Sequence, residues 1–212
     1  MSDPDDIGLS RAPARAATTP LAGRIALWLL GLGVLVFVYV LFAATSKPQD
    51  AGLGAYAMGA MRSLSLSSEA PPQTSRGFQG ENGAAYTLAD FRGRVLVVNF
   101  WATNCAPCLV EMPTLGTLAR RFDGQEVAVV AISLDNATDT DKAKRMLLDL
   151  SQGALHFYID PTRGVALDSR AGGMPTTVIF DRDGVELARL TGEADWSSQE
   201  ALSLIEAILA EP

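Results

Sequence analysis

The 212-residue chain is long enough for one ordinary domain with attachments and too short for two substantial cores plus a long anchor. With 48% apolar and 19% charged residues it is neither mostly disordered nor collagen-like. Charge is uneven: residues 1–44 hold three Arg and three Asp, while residues 78–209 hold 11 Lys or Arg against 18 Asp or Glu, a balance near −7 that disfavours a phosphate backbone and makes nucleic acid an unexpected partner.

From Ile25 to Ala44 twenty residues pass without a charge, and as a helix they would be about 30 Å long, the thickness of a membrane's hydrocarbon core. The expectation is a single transmembrane anchor over residues 25–44. A cleaved signal peptide competes with it, because Ala43, Ala44, Thr45 and Ser46 are small, but the run exceeds the usual ~7–15 apolar residues of such a leader. Arg11, Arg15 and Arg24 precede the run and only Lys47 lies close behind it. The positive-inside rule then puts segment 1–24 in the cytoplasm and everything after Lys47 on the other side, in a bacterial cell the periplasm.

Residues 45–77 are rich in Gly, Ala, Ser and Pro with little periodicity and read as a tether. An alternative is a short helix over Ala51–Leu66 lying on the membrane surface. The functional domain is expected over residues 78–212. Within it Val95–Ala102, VLVVNFWA, reads as a strand buried on both faces. Met112, Leu115, Leu118, Ala119 and Phe122 then recur at helical spacing, with a kink expected near Pro113. Glu126–Leu134 is a second buried strand, and Thr138 to Asp141 reads as a capping box before a helix carrying Ala143, Met146, Leu147 and Leu150. A short strand at His156–Ile159 and a short helix through Val165 and Leu167 follow. Thr176–Phe180 and Val185–Leu190 flank a DRDG turn as a hairpin, and Ser197 with Glu200 opens a last helix. Alternating strands and helices closed by a hairpin and a helix indicate an α/β fold, a central mixed sheet flanked by helices, with the thioredoxin fold as the candidate.

The chain has two cysteines, Cys105 and Cys108, at the start of the first long helix. A pair this close is no disulfide framework and points to a local redox or metal site. Zinc lacks a second cysteine pair, and His156 is the one histidine. A purely structural disulfide would close so small a loop that it would constrain the unfolded chain little. Thiol–disulfide exchange needs an attacking thiolate and a second thiol to resolve the mixed disulfide. At a helix N-terminus, unpaired N–H groups and the dipole favour thiolate, which assigns attack to Cys105 and resolution to the more shielded Cys108. Ala106 and Pro107 restrict the turn between them.

The segments LADFRGRVLVVNFWAT, CAPCLVEMP, VVAISLD and GGMPTTVIFDRDG resemble the TlpA-type, membrane-anchored branch of thioredoxin-like proteins, from about Phe78 to Leu209. The closing GEADWSSQEALSLIEA resembles rhizobial-type TlpA more than ResA or CcmG. The resemblance implies a membrane-tethered disulfide reductase of bacterial origin, with no cofactor and no resident metal. It implies that Pro175 is a cis-proline facing the cysteines, leaving the Met174 backbone free to pair with a partner strand. It implies that Glu111 lies beside the thiols and relays protons or tunes their acidity, a solvated helix carboxylate being the alternative. Asn99 stands where many thioredoxins carry a buried aspartate and cannot act as a base, which shifts that duty to Glu111 or water. Asn104 stands where the family usually has tryptophan, so an aromatic partner surface is missing and Asn104 is free to act as an N-cap. Trp101 either packs in the core or joins the partner surface formed by Asn104, Ala106, Pro107, Met174 and Pro175. The implied partners are periplasmic proteins bearing disulfides, either copper-handling oxidase assembly factors or apocytochrome c, together with an electron donor in the membrane. Two other chemistries stay open: a Cu(I)-binding module using Cys105, Cys108 and Met174, and a thiol peroxidase, for which no P-x-x-x-T/S-x-x-C arrangement is present.

Overall fold

A computed structural model describes residues 25, 28–29, 32–37, 52–67 and 73–211. Two compact units form, Met1–Asp50 and Ala51–Pro212. In the first, Ile25, Trp28, Leu29 and residues 32–37 are helical with exposed side chains. The rest of the expected anchor and the whole of segment 1–24 lie outside the described residues. Among the described residues, no helix is long and apolar enough to cross a membrane.

The second unit is built on an eight-stranded mixed sheet in the order β1-β8-β7-β4-β5-β6-β2-β3. The strands are β1 (Leu64–Leu66), β2 (Phe78–Gly80), β3 (Ala85–Tyr86), β4 (Val95–Trp101), β5 (Val127–Ser133), β6 (Tyr158–Ile159), β7 (Thr176–Phe180) and β8 (Glu186–Thr191). Helices α1 (Ala106–Arg121), α2 (Thr140–Ser151), α3 (Gly164–Asp168) and α4 (Gln199–Ala210) complete it. β4 is central, parallel to β5 and antiparallel to β7, and every one of its residues is buried. Its side chains alternate between two cores. Val95, Val97 and Trp101 join α1, α2 and α4. Leu96, Val98 and Phe100 join α3, Leu88 and the aromatic residues Phe78 and Phe91 on the opposite face. Position 99 therefore looks toward α1.

The hairpin closes where the sequence puts it: Asp181 Oδ1 accepts from the backbone N–H groups of Asp183 and Val185, and Gly184 takes the positive φ of 83° that the turn requires. Gly116 serves a different need, because a Cβ there would lie 2.8 Å from the carbonyl oxygen of Ser151 and force α1 and α2 apart.

Several local expectations are corrected. Residues 52–67 are no tether and no surface helix. They form two short 3-10 turns, Leu53–Tyr56 and Gly59–Met61, followed by β1, which pairs antiparallel with β8. Met61 is fully buried and Leu53, Tyr56, Ala57 and Ala60 pack on the same core as α4. The unit thus starts at Ala51, and the boundary at residue 78 falls inside it. The cap before α2 is Asp139, which makes no side-chain capping bond, after a 3-10 turn at Ala137–Asp139. Ser198, not Ser197, caps α4 by accepting from Ala201 N–H. α1 runs through Pro113 to Arg121, with the Thr117 hydroxyl donating to the Pro113 carbonyl at 3.1 Å.

If residues 52–67 belong to the core, Met61→Ala lowers unfolding stability by about 2–5 kcal/mol in urea denaturation. A mere tether would leave the transition where it was.

Candidate active site

The site forms where β4 hands the chain to α1. Trp101 ends the strand, and the connection is pinned by Asp135 just beyond β5. The Asp135 carboxylate accepts from Thr103 N–H at 3.0 Å, from the Thr103 hydroxyl at 2.8 Å and from the Ser133 hydroxyl at 2.8 Å. No reading of the sequence foresaw this anchor, because its partners become neighbours only through the parallel pairing of β4 with β5.

Cys105 is the N-cap of α1, which corrects the expectation for Asn104. Its backbone is extended, and its sulfur accepts from Cys108 N–H at 3.3 Å, one of the donors that a helix start leaves unpaired. That N–H and the helix dipole act on whichever charge the sulfur carries, and both favour a thiolate. In this structure the pair is oxidised, Cys105 Sγ bonded to Cys108 Sγ with Cα atoms 5.3 Å apart. Cys105 is half-buried and Cys108 is fully buried. Pro107 occupies the first turn, where its missing N–H costs nothing.

The Met174–Pro175 peptide is cis. Pro175 is buried and Met174 is 41% exposed. Met174 and Asn104 line one cavity of about 280 Å³ with Asp139, Lys142 and Arg163, which brings the proline loop alongside the start of α1. Asn104, Ala106, Pro107 and Val110 are exposed and uncharged near the disulfide, as are Gly172 and Gly173 before Met174, while Asp139, Lys142 and Arg163 border Asn104 and Met174. Trp101 does not contribute to it. The indole is fully buried in the same core as Cys108 and Met112, so it is a wall of the site and not a contact for partners. A cavity of about 600 Å³ containing His156, Arg94 and Tyr158 opens at the other end of β4 and β5, remote from the thiols.

Glu111 is the unusual group. It lies one helical turn beyond Cys108 and is 1% exposed, so it is not a solvated helix carboxylate. Oε1 accepts from Asn99 Nδ2 at 2.5 Å, and Oε2 accepts from Ala194 N–H at 3.1 Å. Thr114 reinforces the contact with the same loop, its hydroxyl donating to the Glu111 carbonyl at 2.7 Å and accepting from Trp196 N–H at 3.0 Å. Burial raises the Glu111 pKa to about 7, against the opposing pull of the Ala194 and Asn99 donors, while the nearby negative charge of Glu193 pushes it further up. The carboxyl therefore titrates near neutral pH, one helical turn along α1 from Cys108. Sequence reasoning located Asn99, Glu111 and both cysteines. It missed Thr114, Thr177 and the Ala194 loop, for which no local signal exists.

A family model described as Redoxin matches residues 66–205. Among relatives, the chain is 37% identical over 111 residues to the thiol:disulfide interchange protein HelX of Rhodobacter capsulatus, covering 51% of this chain and 59% of that protein. It is 34% identical over 133 residues to the thiol:disulfide interchange protein DsbE of Vibrio cholerae, covering 62% and 69% respectively. The chain spans about three fifths of the length of most of the curated relatives it matches. Among solved structures, a thiol:disulfide interchange protein DsbE from Chlorobium tepidum superposes with a TM-score of 0.59 at 25% identity, over 69% of this chain and 100% of that one. The arrangement is the thioredoxin-like α/β fold, a central mixed sheet flanked by helices.

Because the folded pKa of Glu111 is raised, its contribution to stability is intact below about pH 4.5 and is lost as pH rises through about 7. Relative to Glu111→Gln, the oxidised wild-type protein is expected to lose on the order of 3 kcal/mol across that window. Paired urea titrations at several pH values measure the difference, and carboxylates common to both proteins cancel. A constant difference would mean that Glu111 does not titrate there.

Proposed function

The chain belongs to the Redoxin family, and on that premise we propose that it is a thiol:disulfide oxidoreductase that reduces disulfides in partner proteins through Cys105 and Cys108. The observation that carries this reading is the stacking of three features on one helix start: a half-buried sulfur capping α1, a buried second sulfur, and a buried carboxyl with a pKa near 7 one turn further on.

In the dithiol form the Cys105 thiolate attacks one sulfur of the partner disulfide. The partner's S–S bond breaks, its departing sulfur takes a proton, and a mixed disulfide joins the partner to Cys105. Glu111, as carboxylate, accepts the proton of the Cys108 thiol, directly or through water. Cys108 then attacks Cys105 Sγ, closing the intramolecular disulfide and releasing the second partner thiolate, which is protonated in turn. Two electrons and two protons pass to the partner. A donor must return both before the next cycle, and the resemblance implies that this donor sits in the membrane.

The exposed Asn104, Ala106, Pro107 and Val110, with the Met174 backbone beside cis-Pro175, suit an extended partner segment that pairs by its main chain. The TlpA-type reading adds tethering: the uncharged stretch 25–44 preceded by Arg11, Arg15 and Arg24 supports an inner-membrane anchor with the catalytic unit in the periplasm. Tethering would raise the effective concentration near membrane-bound partners. The partner classes in this proposal are copper-handling oxidase assembly factors and apocytochrome c.

Cys105→Ser is expected to abolish turnover of a disulfide substrate. Cys108→Ser is expected to accumulate mixed disulfides with the partner, visible on non-reducing gels and identifiable by mass spectrometry, which also tells the two partner classes apart. Persistent turnover by the Cys105→Ser variant would overturn the assignment.

A further inference from the structure

Asn99 sits in the middle of β4 with no exposed surface, directly opposite Thr177 in the antiparallel pairing with β7. Its side-chain nitrogen has two hydrogens, and both are used: one goes to Glu111 Oε1 at 2.5 Å and the other to Thr177 Oγ1 at 3.0 Å. Among the described residues, Asn99 Oδ1 finds no donor. The amide's orientation is nevertheless determined. Reversed, it would set an acceptor against the Glu111 carboxylate, which has nothing to donate, and would leave two N–H groups without acceptors in place of one unpaired oxygen. The Glu111 carboxylate thus fixes which end of the amide faces it, and the Thr177 hydroxyl, able to donate or accept, takes the second N–H and holds the side chain in place.

We propose that Asn99, held by Thr177, is a positioning residue for the exchange reaction: it orients the Glu111 carboxylate from one side while Ala194 N–H holds it from the other. The role rests on the reading of Glu111 as the proton acceptor for Cys108. An aspartate at position 99 would be unable to do it, because two carboxyls at this spacing share one proton. An apolar residue of similar size would fill the space yet withdraw the one side-chain donor from β4.

The groups that face Glu111 from the surrounding elements are few. β4 presents Asn99 and β7 presents Thr177 behind it. The loop after β8 presents Ala194 N–H, the Trp196 indole and the charge of Glu193. Its own helix presents Cys108 one turn back. Glu193 opposes ionisation, so the donors from Asn99 and Ala194 are what offset burial.

The test follows the Glu111 carboxyl by ¹³C NMR through a pH titration of the full chain in its disulfide form, where no turnover occurs, so that failure here is separate from failure of the exchange reading. Asn99→Leu is expected to raise the proton affinity of Glu111 about tenfold, as loss of a charge-assisted hydrogen bond requires. Asn99→Asp is expected to raise it further and to make the titration biphasic, and Thr177→Val to move it the same way by less. In the reduced protein, the pH profile for alkylation of Cys108 should shift in parallel. If Asn99 only packs, Asn99→Leu leaves the Glu111 midpoint within a factor of two of wild type, and the proposal is overturned. Should Asn99→Leu fail to fold, an unchanged midpoint in Thr177→Val overturns it instead.

Discussion

A carboxyl group removed from water must be hydrogen-bonded on both oxygens or stay protonated, and Glu111 meets that demand only because the fold delivers donors from far along the chain. Asn99 arrives from 12 residues upstream and Ala194 from 83 residues downstream. Much of the architecture serves that meeting. Period-two alternation along β4 turns position 99 toward α1. The antiparallel partner β7 supplies Thr177, and the loop between β8 and α4 folds over α1 through Thr114 and Trp196. The same helix start that buries Glu111 leaves Cys105 half-exposed and withdraws Cys108 from solvent, so both sulfurs and the buried carboxyl lie within the first two turns of α1.

What was legible in the sequence was whatever local chemistry dictates. VLVVNFWA announces a strand buried on two faces because no polar side is available, and Val95–Trp101 is buried throughout. Apolar spacing after the cysteines announces α1, and Asp-Gly announces the hairpin turn. The cis bond at Pro175 was reached through resemblance and is present. The segment 52–67 was illegible for a physical reason: its turns are 3-10, its strand has three residues, and its small residues carry no helical or alternating period. Its place is set by pairing with β8 and by Met61 entering a core made by residues much later in the chain. Helix caps were misplaced by a residue or so because several Ser, Thr, Asp and Asn residues compete at each start, and tertiary contacts choose among them.

With Asn99 in the strand, the titratable carboxyl is carried by the helix, and the amide becomes the donor that holds it. Burial raises the pKa of Glu111 toward neutrality and the donors restrain it, so the balance between desolvation and hydrogen bonding sets where Glu111 titrates. The uncharged patch of Asn104, Ala106, Pro107, Val110 and Met174 lies on a unit that is otherwise acidic. Charged groups border it, with Asp139, Lys142 and Arg163 beside Asn104 and Met174.

The central claim is that the Cys105–Cys108 pair is a reversible two-electron couple poised for reduction of partners. The direct measurement is equilibration of the protein in graded dithiol buffers with trapping of free thiols, using a chain that retains residues 51–77 because β1 belongs to the sheet. The account predicts full cycling with a midpoint near that of thioredoxin, about −270 mV. A midpoint near that of DsbA, about −120 mV, or a pair that does not cycle, would contradict it.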